Sequence, residues 1–202
     1  MVAMISDVIK PAVTRVISPT AKAMLKMGLT PNSVTFVGAL GAIVSALIFY
    51  PTGHLFAGTL LIALFALSDL FDGTMARISH KGSSPWGSFL DSTVDRITDS
   101  MIFVGLLLWL NKTSDPLVPV VLVALVSGIL VSYVRAKAES LDIECSGGIA
   151  ERTERIVVAL CAIGFHGLGI SYVLSVGMWI LAVLSVVTVL QRMWIVRKAV
   201  SL

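Results

Sequence analysis

Residues 69–99 read DLFDGTMARISHKGSSPWGSFLDSTVDRITD, a stretch in which aspartates interrupt an otherwise apolar part of the chain. The sequence on either side of it is apolar over lengths that suit membrane-spanning helices. Ionisable side chains at membrane depth are costly, and they mark functional sites for that reason. The stretch therefore predicts two neighbouring membrane helices that bring acidic groups into one site.

The composition of the whole chain agrees with a membrane protein. Of its 202 residues, 56% are apolar and 13% are charged, and the mean hydropathy is +0.94. Soluble domains are about 45–50% apolar and about 25% charged. The composition excludes a disordered chain, a disulfide scaffold and a soluble globular domain. Cys145 lies in a charged loop and Cys161 in an apolar run, so we expect no structural disulfide.

Six apolar segments each approach the length of about 20 residues that a spanning helix needs. They are 34–50, 55–76, 86–110, 117–138, 156–171 and 174–194. Lys and Arg concentrate before the first segment, in every second loop and after the last, whereas the opposite loops hold only Lys112. By the positive-inside rule, this alternation predicts six spans, with both termini on the cytoplasmic side of the cell membrane.

The first 30 residues are expected to form a cytoplasmic juxtamembrane segment ahead of a membrane domain over 31–202. Residues 4–27 mix four basic side chains with several aliphatic ones. This mixture predicts an amphipathic helix on the anionic membrane surface, and a solvated basic leader is the alternative. The predicted fold class is therefore all-α, with six transmembrane helices in one bundle and an N-terminal interfacial helix.

The four aspartates of the opening stretch form two pairs. Asp69 and Asp72 are three residues apart and Asp91 and Asp95 are four apart, so each pair shares a helix face. A short loop joins the two helices, which should be antiparallel neighbours with their acidic faces in contact. Converging carboxylates in a low dielectric need protonation, ion pairs or divalent cations. Basic residues are too few to neutralise them, and oxygen ligands suit Mg²⁺ or Mn²⁺.

Residues between the acidic pairs are suited to binding phosphate. Gly73 leaves room for a ligand near the backbone, and Arg77, four residues later, can reach a phosphate on that face. Residues 81–85 predict a turn and a helix start, whose free N–H groups favour an anion. Two metals beside an arginine and a glycine gap favour phosphoryl transfer. Asp99 either supports this site or pairs with Arg96.

The chain resembles the CDP-alcohol phosphotransferase family at eight positions of that family's signature: Asp69, Asp72, Gly73, Ala76, Arg77, Gly87, Asp91 and Asp95. The resemblance implies transfer of a phosphatidyl group from a CDP-linked lipid to an alcohol, with release of CMP. It implies two divalent cations, Mg²⁺ with Mn²⁺ as a substitute, held by Asp69, Asp72 and Asp91. Asp95 would ligate one cation and act as the general base, and the family resemblance implies a homodimer.

The same resemblance implies a binding site for the donor, CDP-diacylglycerol. Residues near the acidic pairs would contact the nucleotide and its diphosphate, and a segment before the first span would hold the cytidine. These residues are Asp69, Gly73, Arg77 and Ser83, together with Pro31, Asn32, Ser33 and Val34. Locally, the second group can equally be a helix cap at Asn32 or Ser33.

A second polar group lies at the predicted cytoplasmic ends of the last three spans. It could line a cavity for an acceptor that carries a phosphate, and it comprises Ser132, Arg135, Lys137, Arg152, Arg155 and Arg192. The alternatives are positive-inside decoration and plain ion pairs with Glu151 and Glu154. Residues 133–139 and 151–155 are similar to those of actinobacterial phosphatidylinositol-phosphate synthases, a branch of the same family. This likeness implies inositol 1-phosphate (1D-myo-inositol 3-phosphate) as the acceptor.

Two other functions stay open at this point. A phosphatidylglycerophosphate synthase would use glycerol 3-phosphate, which also carries a phosphate. A cation transporter lined by acidic groups would explain carboxylates in a membrane, but not the glycines and the arginine between them. The expected partners are CDP-diacylglycerol, a phosphorylated polyol, membrane lipid and a second copy of the chain, with no nucleic acid.

Overall fold

A computed structural model describes residues 17–78, 84–145, 147–149 and 151–201, and the regular structure within these ranges is helical. The helices are α1 (17–26), α2 (Pro31–Phe49), α3 (Leu55–Ala66), α4 (Ser68–Ile78), α5 (Pro85–Lys112), α6 (Val118–Glu139), α7 (Arg152–Gly167) and α8 (Ser171–Val200). The all-α class is therefore confirmed. Residues 4–16 of the expected amphipathic helix and the start of the 81–85 turn lie outside the described residues.

Four helical segments are long and apolar enough to cross a membrane: Pro31–Phe49, Leu55–Ile78, Val118–Glu139 and Ser171–Val200. They coincide with the first, second, fourth and sixth predicted spans. α5 has 28 residues, but its first 15 carry three aspartates and an arginine. α7 has 16 residues, fewer than a perpendicular span needs. The chain therefore has several membrane-spanning helices, and the number six stays a prediction.

The second predicted span consists of two helices, α3 and α4, which meet at Leu67. The N–H of Leu67 donates to Leu64 O at 3.2 Å, and the N–H of Leu70 donates to Leu67 O at 3.0 Å. These bonds reach back three residues instead of four, so the regular α-helical pattern is interrupted here. Asp69 consequently lies in the first turn of a new helix, where a negative charge interacts favourably with the helix dipole.

The chain divides into two compact units. The first comprises Met1–Val44 and Leu61–Thr98, and the second comprises Ser45–Leu60 and Asp99–Leu202. Glycine lets helices approach closely in both. A Cβ on Gly38 would collide with Ser68 Oγ in the first unit, and a Cβ on Gly105 would collide with Ala46 O in the second. Small residues commonly permit such contacts between membrane helices.

In the first unit, α1 packs through one apolar face. Ile17, Ala21 and Leu25 are spaced by four residues and therefore lie on the same side of the helix. This face joins Val34 of α2 and Met75 of α4 in a buried cluster. The part of the predicted N-terminal helix that is described is thus amphipathic, and its position at a membrane surface stays a prediction.

In the second unit, α8 packs against α6 and α7. Near the start of α3, the fully buried Tyr50 places its hydroxyl 2.9 Å from Thr59 Oγ1, so its polar end is satisfied inside the protein. Cys145 and Cys161 are both free thiols, the first buried and the second exposed.

Candidate active site

A cavity of about 620 Å³ lies within the first unit, and four helices contribute to its walls. α1 supplies Leu25, α2 supplies Thr35, α4 supplies Asp72 and Gly73, and α5 supplies Asp91. Small-molecule sites usually occupy about 300–1,000 Å³, so the cavity has the volume of a ligand site. Two of the four predicted metal-binding carboxylates line this one space.

The turn that leads into α2 forms one side of the cavity. Thr30 caps the helix: its Oγ1 accepts the Ser33 N–H at 3.2 Å, and Ser33 Oγ accepts the Thr30 N–H at 3.0 Å. This is a capping box, with Pro31 at the first helical position, where a missing N–H does no harm. The cap is therefore Thr30, and the alternative of a cap at Asn32 or Ser33 was wrong. Pro31 and Asn32 line the cavity, whereas Val34 is buried in the core.

The start of α5 lies beside the start of α2. Ser84 Oγ accepts the Gly87 N–H at 2.9 Å and thereby caps α5 ahead of Pro85. A Cβ on Gly87 would lie 3.3 Å from Asn32 Oδ1, so a larger residue there would crowd the first turn of α2. Helix N-termini present free N–H groups and partial positive charge. Two of them at one cavity favour an anionic ligand such as a diphosphate.

Asp72 is the most enclosed acidic group of the cavity, with 8% of its surface exposed. Thr35 Oγ1 donates a hydrogen bond to Asp72 Oδ2 and orients this carboxylate. Asp91 lines the same cavity as Asp72. Two carboxylates that share a site repel each other unless a proton or a cation offsets their charge. The pair is therefore suited to holding a cation.

Asp69 and Asp95 complete the predicted metal-binding set. Asp69 is exposed, whereas the Asp95 side chain is 16% exposed and its Oδ2 lies 3.9 Å from Arg96 Nη1. Within the described ranges, no three His, Cys, Asp or Glu side chains are grouped as a complete metal site. Mg²⁺, however, is usually bound through one or two carboxylates together with water and substrate phosphates. The residues present therefore fit a divalent cation that a phosphate-bearing ligand helps to hold.

Gly73 and Arg77 line the same cavity from α4. A Cβ on Gly73 would meet no atom within 4 Å, so packing does not require glycine here and the space stays open. Arg77 Nε donates to Gly73 O at 3.0 Å, and its Nη2 donates to Thr74 Oγ1 at 3.4 Å. These bonds use two of the five guanidinium N–H groups, which leaves others for a phosphate. Ser83, the remaining predicted donor contact, lies outside the described residues.

In the second unit, two arginines of the predicted acceptor group are buried. Arg155 is 7% exposed and its Nη2 donates to Gly128 O at 3.4 Å; Arg192 is 3% exposed and its Nη1 donates to Val131 O at 2.6 Å. The two carbonyls are three residues apart, so both guanidinium groups reach one face of α6. Arg192 Nε also donates to Gly147 O at 2.9 Å and so holds the loop before α7. Neighbouring buried cations favour an anionic ligand.

The other members of the acceptor group are less enclosed. Arg135 is exposed and its Nε donates to the glutamate four residues later at 2.8 Å. Lys137 is exposed and Ser132 is half-buried. Arg152 pairs with Asp99, a partner 53 residues away in the chain. Two members are therefore in ion pairs, but their partners are Glu139 and Asp99 and not the Glu151 and Glu154 that the sequence suggested. For Asp99, the sequence suggested Arg96 as a partner, whereas the structure shows Arg152.

Several residues that line the cavity were not among the predicted site residues. The place of Thr35 in the cavity could have been predicted, because it lies three residues after Asn32 and shares its helix face. Ser84 lay within the turn and helix start predicted at 81–85, where a serine before a proline is typical, but it was not among the predicted site residues. Leu25 had no such signal, since only the packing of α1 brings it to the cavity.

The sequence of this chain is similar to those of known proteins. The family model for CDP-alcohol phosphatidyltransferase matches residues 28–191. A phosphatidylinositol phosphate synthase of Streptomyces avermitilis is 43% identical over 205 aligned residues, which cover 97% of this chain and 84% of the relative. The protein of that name from Mycobacteroides abscessus is 41% identical, over 92% of this chain and 85% of the relative.

Solved structures agree over a similar extent. The crystal structure of Mycobacterium tuberculosis phosphatidylinositol phosphate synthase with CDP-DAG bound matches with a TM-score of 0.86 and 40% identity, covering 90% of this chain and 94% of that one. The same enzyme in complex with manganese and citrate matches with a TM-score of 0.85, covering 89% and 88% of the two chains. The likeness therefore includes both sequence and fold over most of the molecule.

Proposed function

Because this chain belongs to the CDP-alcohol phosphatidyltransferase family, we propose that it transfers the phosphatidyl group of CDP-diacylglycerol to inositol 1-phosphate (1D-myo-inositol 3-phosphate), giving phosphatidylinositol phosphate and CMP. The observation that carries this proposal is one cavity lined by Asp72, Gly73, Arg77 and Asp91 of the family signature. Relatives named phosphatidylinositol phosphate synthase favour inositol phosphate over glycerol 3-phosphate. Membership in a transferase family sets the cation transporter aside.

The cavity would hold the nucleotide and the diphosphate of the donor. Pro31 and Asn32 would contact the cytidine, and the starts of α2 and α5 would direct N–H groups at the diphosphate. Arg77 would donate its remaining N–H groups to a phosphate oxygen. Gly73 would keep the space open for the diphosphate, and Asp69 and Ser83 would be further donor contacts, as the family resemblance implies.

Asp69, Asp72 and Asp91 would hold two divalent cations, Mg²⁺ or Mn²⁺, with Asp95 sharing one of them. When bound, these ions would offset the charge of the diphosphate and of the departing CMP. Thr35 would keep Asp72 in its orientation, as groups behind a metal ligand commonly do. The manganese complex of the M. tuberculosis enzyme supports a divalent-metal requirement.

The chain's own residues would then direct a single displacement. The acceptor hydroxyl oxygen attacks the β-phosphorus and forms a new P–O bond, while the bond from that phosphorus to the oxygen retained by CMP breaks. Asp95 accepts the proton of the hydroxyl, because a carboxylate near the attacking oxygen is a workable general base. Binding and orientation by the surrounding residues supply most of the rate enhancement.

The acceptor phosphate would be bound by Arg155 and Arg192. Both are buried, and both reach the same face of α6 through backbone carbonyls, which fixes their orientation before the acceptor arrives. Guanidinium groups match the geometry of phosphate oxygens. Ser132, Arg135 and Lys137 are the remaining proposed contacts, at the more exposed edge of this group.

The membrane arrangement is part of the proposal. α5 and α7 would be the third and fifth spans of a six-helix bundle, with both termini and the active site on the cytoplasmic side. Residues 1–30 would form the juxtamembrane segment, with α1 at the membrane surface, and residues 31–202 the membrane domain. The distribution of Lys and Arg supports this sidedness. The functional form would be a homodimer.

The test is a CMP-release assay on the purified full-length chain with CDP-diacylglycerol and Mg²⁺. We expect release that depends on inositol 1-phosphate, with phosphatidylinositol phosphate identified by mass spectrometry and activity lost in a chelator. Faster release with glycerol 3-phosphate would make the chain a phosphatidylglycerophosphate synthase instead. Absence of release with either acceptor would overturn the proposed function.

A further inference from the structure

Asp99 and Arg152 form a two-bond ion pair between α5 and α7 in the second unit. Arg152 Nε donates to Asp99 Oδ2 and Arg152 Nη2 donates to Asp99 Oδ1, both at 3.0 Å. The two side chains are 20% and 32% exposed, respectively. A side-on guanidinium–carboxylate contact with two parallel bonds is directional and stronger than a single one. The pair therefore fixes the orientation of both side chains.

This pair holds the first turn of α7. Arg152 is the first residue of that helix, and the buried Arg155 follows one turn later on the neighbouring face. Arg155 reaches Gly128 O of α6 at 3.4 Å. A shift or rotation of the α7 start would therefore move the Arg155 guanidinium away from this carbonyl. Asp99 restrains such a shift from the side of α5.

The charge of Arg152 is already balanced within the protein. A carboxylate 3.0 Å from its Nε offsets the guanidinium charge, and both side chains are only partly exposed to solvent. An acceptor phosphate that approached Arg152 would have to displace Asp99 or share the guanidinium with it. Asp99 would repel this phosphate as well.

From these contacts we infer that Asp99 is a positioning residue for acceptor binding, and that Arg152 transmits its effect to Arg155 without binding the acceptor phosphate. The inference rests on the proposed function and revises the sequence-based assignment of Arg152. Asp99 fixes the position of the first turn of α7 relative to α5, and thereby where the Arg155 guanidinium stands when the acceptor arrives. The affinity for the acceptor, and not for the lipid donor, depends on the pair.

The two possible roles of Arg152 predict opposite effects of Asp99→Asn. If Arg152 only positions α7, loss of the ion pair loosens the α7 start, and the acceptor KM rises about 10-fold to 100-fold, as expected for a misplacement near 1 Å. If Arg152 is itself a phosphate ligand, Asp99→Asn releases a cation, and the acceptor KM falls or stays the same.

The experiment compares steady-state kinetics of the full-length chain in lipid vesicles for the wild type, Asp99→Asn, Arg152→Gln and the double variant. We expect the three variants to show the same increase in acceptor KM, because each breaks one pair, and an unchanged donor KM. Asp115→Asn is the matched control, since it makes the same change from carboxylate to amide at a residue whose Oδ1 accepts the Leu117 N–H at the opposite end of α6 from the acceptor group. Its acceptor KM should stay within about two-fold of the wild type, because asparagine caps a helix about as well as aspartate does.

Arg152→Lys keeps the inference testable if Asp99→Asn does not fold. Lysine retains the charge but cannot form the two-bond contact, so we expect a raised acceptor KM; a wild-type value would overturn the inference. An unchanged or lowered acceptor KM in Asp99→Asn would overturn it too. Failure of the proposed function is distinct, because the wild type itself would then release no CMP with either acceptor.

Discussion

Replacing Gly73 with alanine should weaken donor binding without destabilising the protein. Gly73 lies in the interior of α4 and lines the cavity of the first unit. An added Cβ would meet no protein atom within 4 Å, so the methyl group would occupy space that the donor needs. Function, and not packing, therefore accounts for glycine at this position.

The substitution affects the stability of the protein and its affinity for the donor separately. In a helix interior, alanine is favoured over glycine by about 1 kcal/mol, so the variant should unfold at the same or a higher temperature. A methyl group forced into a filled site costs about 1–3 kcal/mol. At 1.4 kcal/mol per factor of ten, donor affinity should fall about 5-fold to 150-fold.

The measurement is calorimetric titration of CDP-diacylglycerol in detergent micelles, paired with thermal unfolding of the same samples. Gly128→Ala is the matched control, because it is a helical glycine whose added Cβ would lie 3.7 Å from Arg155 Nε, an ordinary contact outside this cavity. Its donor affinity should equal that of the wild type. A Gly73→Ala variant with wild-type donor affinity would refute the assignment of this cavity to the donor.

Three further changes test the other parts of the site. Asp95→Asn should lower kcat about 10²-fold to 10⁴-fold, because an amide cannot accept the acceptor's proton; donor affinity should persist, and near-normal turnover would place the base elsewhere. Arg155→Ala should raise the acceptor KM about 10-fold or more, since a charged hydrogen bond is worth about 1.5–3 kcal/mol; an unchanged value would move the acceptor site away from this residue. Thr35→Val removes the donor to Asp72 and should weaken Mn²⁺ binding about 10-fold to 100-fold in an electron paramagnetic resonance titration.

The control for Thr35→Val is Thr93→Val. Thr93 is exposed on α5, and its Oγ1 donates to Phe89 O of the same helix at 2.8 Å. The Thr93→Val substitution removes a threonine hydroxyl that is bonded to a backbone carbonyl and not to an acidic side chain. Mn²⁺ affinity should therefore not change. Equal losses in both variants would show that Thr35 acts through general stability and not through Asp72.

Most helix positions could be predicted from the sequence. The segments expected at 117–138 and 174–194 correspond to α6 and α8, because long apolar runs bounded by polar loops allow few other structures in a membrane protein. The break at Leu67 was not foreseen. No glycine or proline lies at this position in the sequence, so only the backbone hydrogen bonds of the structure show the break.

For the candidate site as well, the sequence predicted some features and not others. Spacing along the chain placed Asp72, Gly73 and Arg77 together, because Gly73 directly follows Asp72 and Arg77 lies four residues after Gly73 on the same helix face. It also singled out Asp91, which lines the same cavity. The assignment of Arg152 to the acceptor rested on its charge, on its place at the predicted start of the fifth span and on the family resemblance, and spacing gave no hint of its partner.

The contacts that orient these side chains join distant parts of the chain. Thr35 and Asp72 are 37 residues apart, Asp99 and Arg152 are 53 apart, and Arg192 and Val131 are 61 apart. Helical periodicity specifies which residues share a face of one helix. It carries no information about which faces of two helices meet, because that depends on how side chains of both interlock. Chemistry could therefore be assigned from local spacing, whereas the partners that hold each charged group in place arise only when the helices pack.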